Sequence, residues 1–292
     1  MPEIWVLLAL SAVVLYGISQ VIGKLAIDSL AAPTMVAVNF LVSMPVYLLF
    51  FLCFLLSLGS FQIGSEYIIF GLVAALLGRA GYYTYLEALE RGPVMIVGSI
   101  TAAYPAIITI LAITLLGESL TAIQGVGVVI IIISMIGLSF SHGSSKGGTS
   151  FTRLSLILSI ATLILWGVWG IFVKLALREL PIMFYLGLYS LVLPPLFFTY
   201  FRYKRIPFKQ VLPKWSLPVI IAVIAVLIGQ LALLADTAAV SLGEAAVVFP
   251  LIASYPVVMI LLAFAFLKER LSRRDVSLVF TVIIGIILIS TT

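Results

Sequence analysis

Charge is scarce in this chain. Only 9% of its 292 residues are Asp, Glu, Lys or Arg, whereas a soluble globular domain carries about a quarter. Such a sequence cannot cover a water-facing surface. Cysteine and histidine are scarcer still, with one of each, Cys53 and His142. A single cysteine excludes an intramolecular disulfide and a cysteine metal cluster. A single histidine, in a Gly/Ser-rich stretch, reads as a solvated loop residue and leaves no histidine-based catalytic or metal constellation. No Gly-x-x-x-x-Gly-Lys-Ser/Thr sequence occurs, so the phosphate-cradling loop of nucleotide-driven machines is missing.

What the chain has is apolar length. It is 63% hydrophobic with a mean hydropathy of +1.31. Its apolar runs repeatedly reach about 20 residues, enough to cross a bilayer as a helix. The runs are continuous, not alternating, which argues against a β-barrel. The reading is an all-α integral membrane protein. Ten spans are expected: Ile4 to Gly23, Thr34 to Leu56, Glu66 to Leu89, Pro93 to Leu116, Leu120 to Phe140, Leu154 to Leu177, Pro181 to Phe201, Leu217 to Val240, Glu244 to Leu267 and Ser272 to Ser290. The first lacks a basic leader and a small-residue cleavage site, so it reads as a span and not a signal peptide. Pro45 is expected to kink the second.

A repeat organises these spans. Tyr104-Pro105 followed by Glu118 recurs as Tyr255-Pro256 followed by Glu269, 151 residues later and with the same Pro-to-Glu separation of 13. Leu15-Tyr16-Gly17 and Lys24-Leu25-Ala26 match Leu165-Trp166-Gly167 and Lys174-Leu175-Ala176 at an offset of 150. The chain therefore divides into a five-helix repeat over 1–141, a Gly/Ser-rich linker over 142–153 and a second five-helix repeat over 154–292. An odd number of spans per repeat places the halves in opposite orientations, and inverted repeats build a site near the membrane midplane.

The basic residues give an orientation. Of 16 Lys and Arg, Arg79 lies inside a span, and Lys174 and Arg178 lie on one side of the membrane. The other 13 fall in loops after odd-numbered spans. By the positive-inside rule those loops are cytoplasmic and both termini face out. The net charge of +5 is thus a matter of topology, not of nucleic-acid binding.

Paired five-helix repeats, each with Tyr-Pro, an apolar helix and then Glu-x-Leu, resemble the EamA family of the drug/metabolite transporter superfamily. The resemblance covers nearly the whole chain. It implies a ten-helix fold around a central cavity lined mainly by spans 1, 3, 4, 6, 8 and 9, with spans 5 and 10 at the periphery. The chain departs from the family pattern in one respect. Many members have cytoplasmic termini and a basic loop after span 2, whereas here the basic loops lie in the second half.

Arg79 is the first candidate for substrate binding. A charge halfway along a span is costly and usually faces a cavity or a partner, and a planar guanidinium suits a carboxylate or phosphate. The alternative is an ion pair with Asp236 or Glu87. Tyr83, one turn from Arg79, and Gln230, its repeat equivalent, join it as candidates. So do Tyr104, Tyr255 and Trp169. Asp236 and Glu87 are candidates for ion coupling or ion pairing. Lys24 and Lys174, which end equivalent spans, either snorkel to the headgroups or act as gates. Glu118 and Glu269 are expected to accept hydrogen bonds from the start of the following helix, where negative charge is favoured. Pro105 and Pro256 are expected to kink their spans and free backbone carbonyls.

The leading function is a secondary transporter in a cell's plasma membrane. It would move a small metabolite, an amino acid or other carboxylate- or phosphate-bearing solute, by alternating access around a central cavity. Export of hydrophobic cations is the alternative. A membrane-embedded enzyme would need clustered catalytic groups that the sequence does not offer, and a channel would need rings of like groups. The expected partners are the small-molecule substrate and the lipid bilayer, with a coupling ion left open. No cofactor, metal or nucleic acid is expected, and the protein is a monomer or a homodimer.

Overall fold

The computed structural model describes residues 3–27, 29–30, 32–57, 63–141, 152–267 and 272–290. All of the regular structure there is helical. The first half holds α1 (Ile4–Ile27), α2 (Ala32–Leu56), α3 (Ser65–Arg91), α4 (Val94–Thr101), α5 (Tyr104–Leu111) with a π-helical turn at Ala112–Leu116, and α6 (Ala122–Ser141). The second holds α7 (Arg153–Ala176), α8 (Ile182–Lys204), the short α9 (Phe208–Val211), α10 (Leu217–Leu242), α11 (Ala245–Ile252), α12 (Tyr255–Leu267) and α13 (Arg273–Ser290). Among the described residues, nine segments are long and apolar enough to cross a membrane. The last helix, α13, has 18 residues but opens on Arg273, Arg274 and Asp275. The linker residues 142–151, including His142, lie outside the described residues, as do Lys268 and Glu269.

Two expected spans differ from a simple kinked helix. Span 4 is α4 followed by α5, broken at Ala102-Ala103, and span 9 is α11 followed by α12, broken at Ala253-Ser254. Pro105 and Pro256 do not kink a continuous helix from within. Each is the second residue of a new helix, where a missing N–H costs nothing because that N–H has no helical partner anyway. Pro45, by contrast, sits inside α2, which continues through it.

Packing repeats between the halves. α1 lies along α10, and α3 lies along α7; exchanging the halves turns one pair into the other. α1 against α12 matches α7 against α5, and α3 against α8 matches α10 against α2. The pairs α2–α8 and α6–α13 map onto themselves. Lipid tails are as apolar as leucine, so such contacts depend on close fit and small residues. A Cβ on Gly81 of α3 would come within 2.5 Å of Trp166, and one on Gly78 within 2.9 Å of Trp169. These two glycines open the face of α3 on which the tryptophans of α7 lie.

The helix ends gather in two groups. At one, Lys204 of α8 pairs with Glu87 and Glu90 of α3, and Arg91 pairs with Glu87. There too Thr152, which caps α7 by accepting from Ser155 N, donates to Arg91 O at 3.0 Å. At the other, the ends of α7 and α10 and the residues after α5 meet the start of α11.

Candidate functional site

Arg79 sits midway along α3, half-buried. Its guanidinium donates to the Tyr47 hydroxyl and, at a long 3.4 Å, to Asn39 Oδ1. It also lies over two rings, 5.5 Å from the centroid of Tyr47 and 5.6 Å from that of Tyr189. The π faces offset part of the cost of holding a cation in this depth. The Tyr189 hydroxyl is itself held, by Trp169 Nε1 at 3.3 Å and by Tyr185 at 3.0 Å. Every described partner of Arg79 is therefore neutral.

The ion pairs offered as alternatives do not form. Asp236 is taken by Tyr16 and Glu87 by Arg91 and Lys204. Glu87 belongs to the charged cluster at the helix ends. Tyr83, one turn on from Arg79, stacks on Tyr200, with centroids 4.9 Å apart and planes 13° from parallel.

Gln230 occupies on α10 the place that Arg79 occupies on α3. Its Nε2 donates to Ser43 Oγ at 2.8 Å. Asn39, Ser43 and Tyr47 are spaced four apart on α2, so they form one stripe on that helix. Arg79 takes the outer two and Gln230 the middle one. The Oε1 of Gln230 is buried and makes no hydrogen bond. The stripe was not among the sequence candidates, although its four-residue spacing of polar groups in an apolar span was a readable signal.

A second cluster is built from two equivalent triads. In one, Tyr16 of α1 donates to Asp236 Oδ2 of α10 at 3.1 Å and lies 5.8 Å, ring to ring, from Tyr255 of α12. In the other, Trp166 of α7 lies 5.5 Å from Tyr85 of α3 and 5.7 Å from Tyr104 of α5. Trp166, Tyr85 and Tyr104 are the repeat counterparts of Tyr16, Asp236 and Tyr255. The triads are neighbours, Tyr104 near Tyr255 and Asp236, and Tyr85 near Tyr255. All five aromatic residues are half-buried, whereas Asp236 is 5% exposed. Tyr104, Tyr255 and Asp236 are thus brought together, with Tyr16, Tyr85 and Trp166 around them. Tyr16 reaches Asp236 only because α1 lies along α10, a pairing that spacing along the chain does not reveal.

The lysines diverge. Lys174 Nζ donates to Val240 O at 2.9 Å and Gly243 O at 2.7 Å, closing the end of α10. Lys24 is exposed in the last turn of α1. Nearby on the Lys174 face, Gly117 adopts φ 72° and ends the π-helical turn, a left-handed conformation that costs glycine little. The turn brings Glu118 to the other half of the chain. Its Oε1 and Oε2 accept from Ala245 N at 3.0 Å and Ala246 N at 2.8 Å. Glu118 was expected to cap the next helix; it caps α11 instead, across the repeat boundary. Glu244, just before α11, keeps its carboxyl above the usual range, through burial first and then the neighbouring Glu118.

The sequence model of the EamA-like transporter family matches this chain twice, over residues 3–140 and 153–291. The chain belongs to the EamA-like transporter family. It is a multi-pass membrane transporter of the drug/metabolite type, and its medium is the lipid bilayer. The two matches fall on the two halves whose packing repeats. A search of curated proteins finds no match. Among solved structures, one described as "Crystal structure of protein" has a similar fold, with a TM-score of 0.74 over 99% of this chain and 96% of the other at 18% identity.

Proposed function

We propose that this EamA-family member is a secondary transporter of small metabolites that carry a carboxylate or phosphate, amino acids among them, with Arg79 as the anion anchor. The observation that carries this reading is the neutral surroundings of Arg79. A guanidinium held mid-span by one hydroxyl, an amide and two ring faces keeps its charge available to an incoming anion. A purely structural arginine in this position would be expected to pair with a carboxylate. Two oxygens of a substrate fit its planar fork.

The same reading takes the protein as ten spans in two inverted repeats around a central cavity, moving by alternating access. Its support is the grouping of helix ends: those of α3 and α8 lie with the start of α7, and those of α7 and α10 lie with the start of α11. We take the first group as cytoplasmic, on the support of the basic loops after odd spans and the positive-inside rule. A cysteine introduced at Gln210 should then be protected from an impermeant reagent in intact cells, and one at Ser119 labelled.

The substrate test is thermal stability of the purified protein against amino acids, organic acids, phosphorylated metabolites and hydrophobic cations. A ligand that binds only the folded state raises apparent stability by mass action. Carboxylates or phosphates are expected to raise it in the wild type and not in Arg79→Ala. A rise with hydrophobic cations alone would favour drug export centred on Asp236 and its aromatic neighbours.

A further inference from the structure

We propose that Asp236 is a proton-carrying site of this transporter, protonated in the conformation described here and ionised when the pathway opens to water. The inference is independent of which solute Arg79 takes. Asp236 is 5% exposed, on a helix that crosses the membrane, and its hydrogen-bond partner is the neutral hydroxyl of Tyr16. An isolated carboxylate buried in an apolar medium is so costly that the group takes up a proton instead. One hydrogen bond from a phenol does not replace a counter-ion.

The groups around it do not supply one. Tyr16 on α1 donates to the carboxylate and lies against Tyr255 of α12; the next titratable neighbours are Tyr104 on α5, Tyr185 on α8 and Tyr47 on α2. All are phenols. Lys174 on α7 reaches α10 one turn further on, where its ammonium is spent on the carbonyls of Val240 and Gly243. Arg79 lies with Asn39, Tyr47 and Tyr189 and makes no ion pair or hydrogen bond with Asp236.

The duplicated fold shows that the scaffold does not require an acid here. At the equivalent position the first half carries Tyr85, which packs ring to ring against Trp166, the counterpart of the Tyr16 that donates to Asp236. An uncharged side chain holds that junction. The acid is an addition to the second half alone, placed where α1, which packs against both α10 and α12, meets α10. Those are elements of both repeats, so a movement of one repeat against the other changes the hydration of Asp236. Uptake of a proton in the closed state and its release to water on opening link that movement to a pH gradient. No bond other than the carboxyl O–H is made or broken.

Infrared spectroscopy decides the protonation. At neutral pH the wild type is expected to show a protonated-carboxyl C=O band that is absent from Asp236→Asn and shifted in Tyr16→Phe. Proteoliposomes are then given radiolabelled glutamate, pyruvate and glycerol 3-phosphate. For any probe that is moved, a pH gradient should accelerate wild-type accumulation severalfold and leave Asp236→Asn unaffected, while probe-for-probe exchange persists in the variant. Identical carboxyl bands in wild type and Asp236→Asn overturn the proposal, and so does a variant still accelerated by the gradient. If the wild type moves none of the probes, the substrate reading fails, and the infrared band alone decides Asp236.

Discussion

Arg79 and Gln230 stand 151 residues apart, at equivalent places in the two repeats, and both end on the same stripe of α2. One half thus meets Asn39 and Tyr47 with a permanent charge, and the other meets Ser43 with an amide. Asp236 and Tyr85 show the same contrast at a second pair of positions. The scaffold repeats its Tyr-Pro junctions and its helix pairings. At these two positions one repeat carries an acid or a base within a span and the other an uncharged side chain.

Because Gln230 already serves at one of these positions, Arg79→Gln is expected to fold and insert normally. It should weaken binding of carboxylate or phosphate ligands at least about tenfold, or about 1.4 kcal/mol. Dissociation constants from ligand titration of thermal stability check this. Equal affinity in the variant would remove Arg79 from the binding site.

Glu118 joins the halves by capping α11 with both carboxylate oxygens. Charge-assisted bonds to orphan helix amides are the stronger kind, and loss of a cap costs about 1–2 kcal/mol. Glu118→Ala is therefore expected to lower the unfolding temperature, with Glu118→Gln intermediate. Melting curves of the three proteins in one detergent test the order.

Glu244 predicts a pH effect of definite sign. Its carboxyl is raised by burial and by Glu118, so the folded state binds the proton more tightly than the unfolded chain does. Such a group destabilises the protein once pH rises above its unfolded value, and the penalty is absent in acid. Glu244→Gln should accordingly raise the melting temperature at neutral pH, with the gain fading as pH falls through the carboxylate range. A pH series of melting curves for variant and wild type measures it.

Gly81 admits Trp166 against α3. A methyl group there would overlap the indole, and overpacking of this kind costs about 1–3 kcal/mol. Gly81→Ala is expected to lower thermal stability, whereas Gly125→Ala, with open space around its Cβ position, should not. Paired melting curves test the difference.

The sequence by itself determined the membrane class, the presence of two repeats and the mid-span position of Arg79. Each is a local or periodic property: apolar run length, self-similarity at a fixed offset, and a charge within a span. It also located Asp236, Tyr104 and Tyr255 as candidates, though not their meeting. Tertiary structure alone decided the partners. Asp236 finds Tyr16 because α10 lies along α1, Arg79 finds Tyr47 and Tyr189 because α3 meets α2 and α8, and Glu118 finds α11 in the opposite repeat. These contacts join residues far apart in the chain, across helices whose apolar faces look alike in sequence. Which faces meet is set by where small residues permit close approach and where buried polar groups find partners, and both are properties of the assembled bundle.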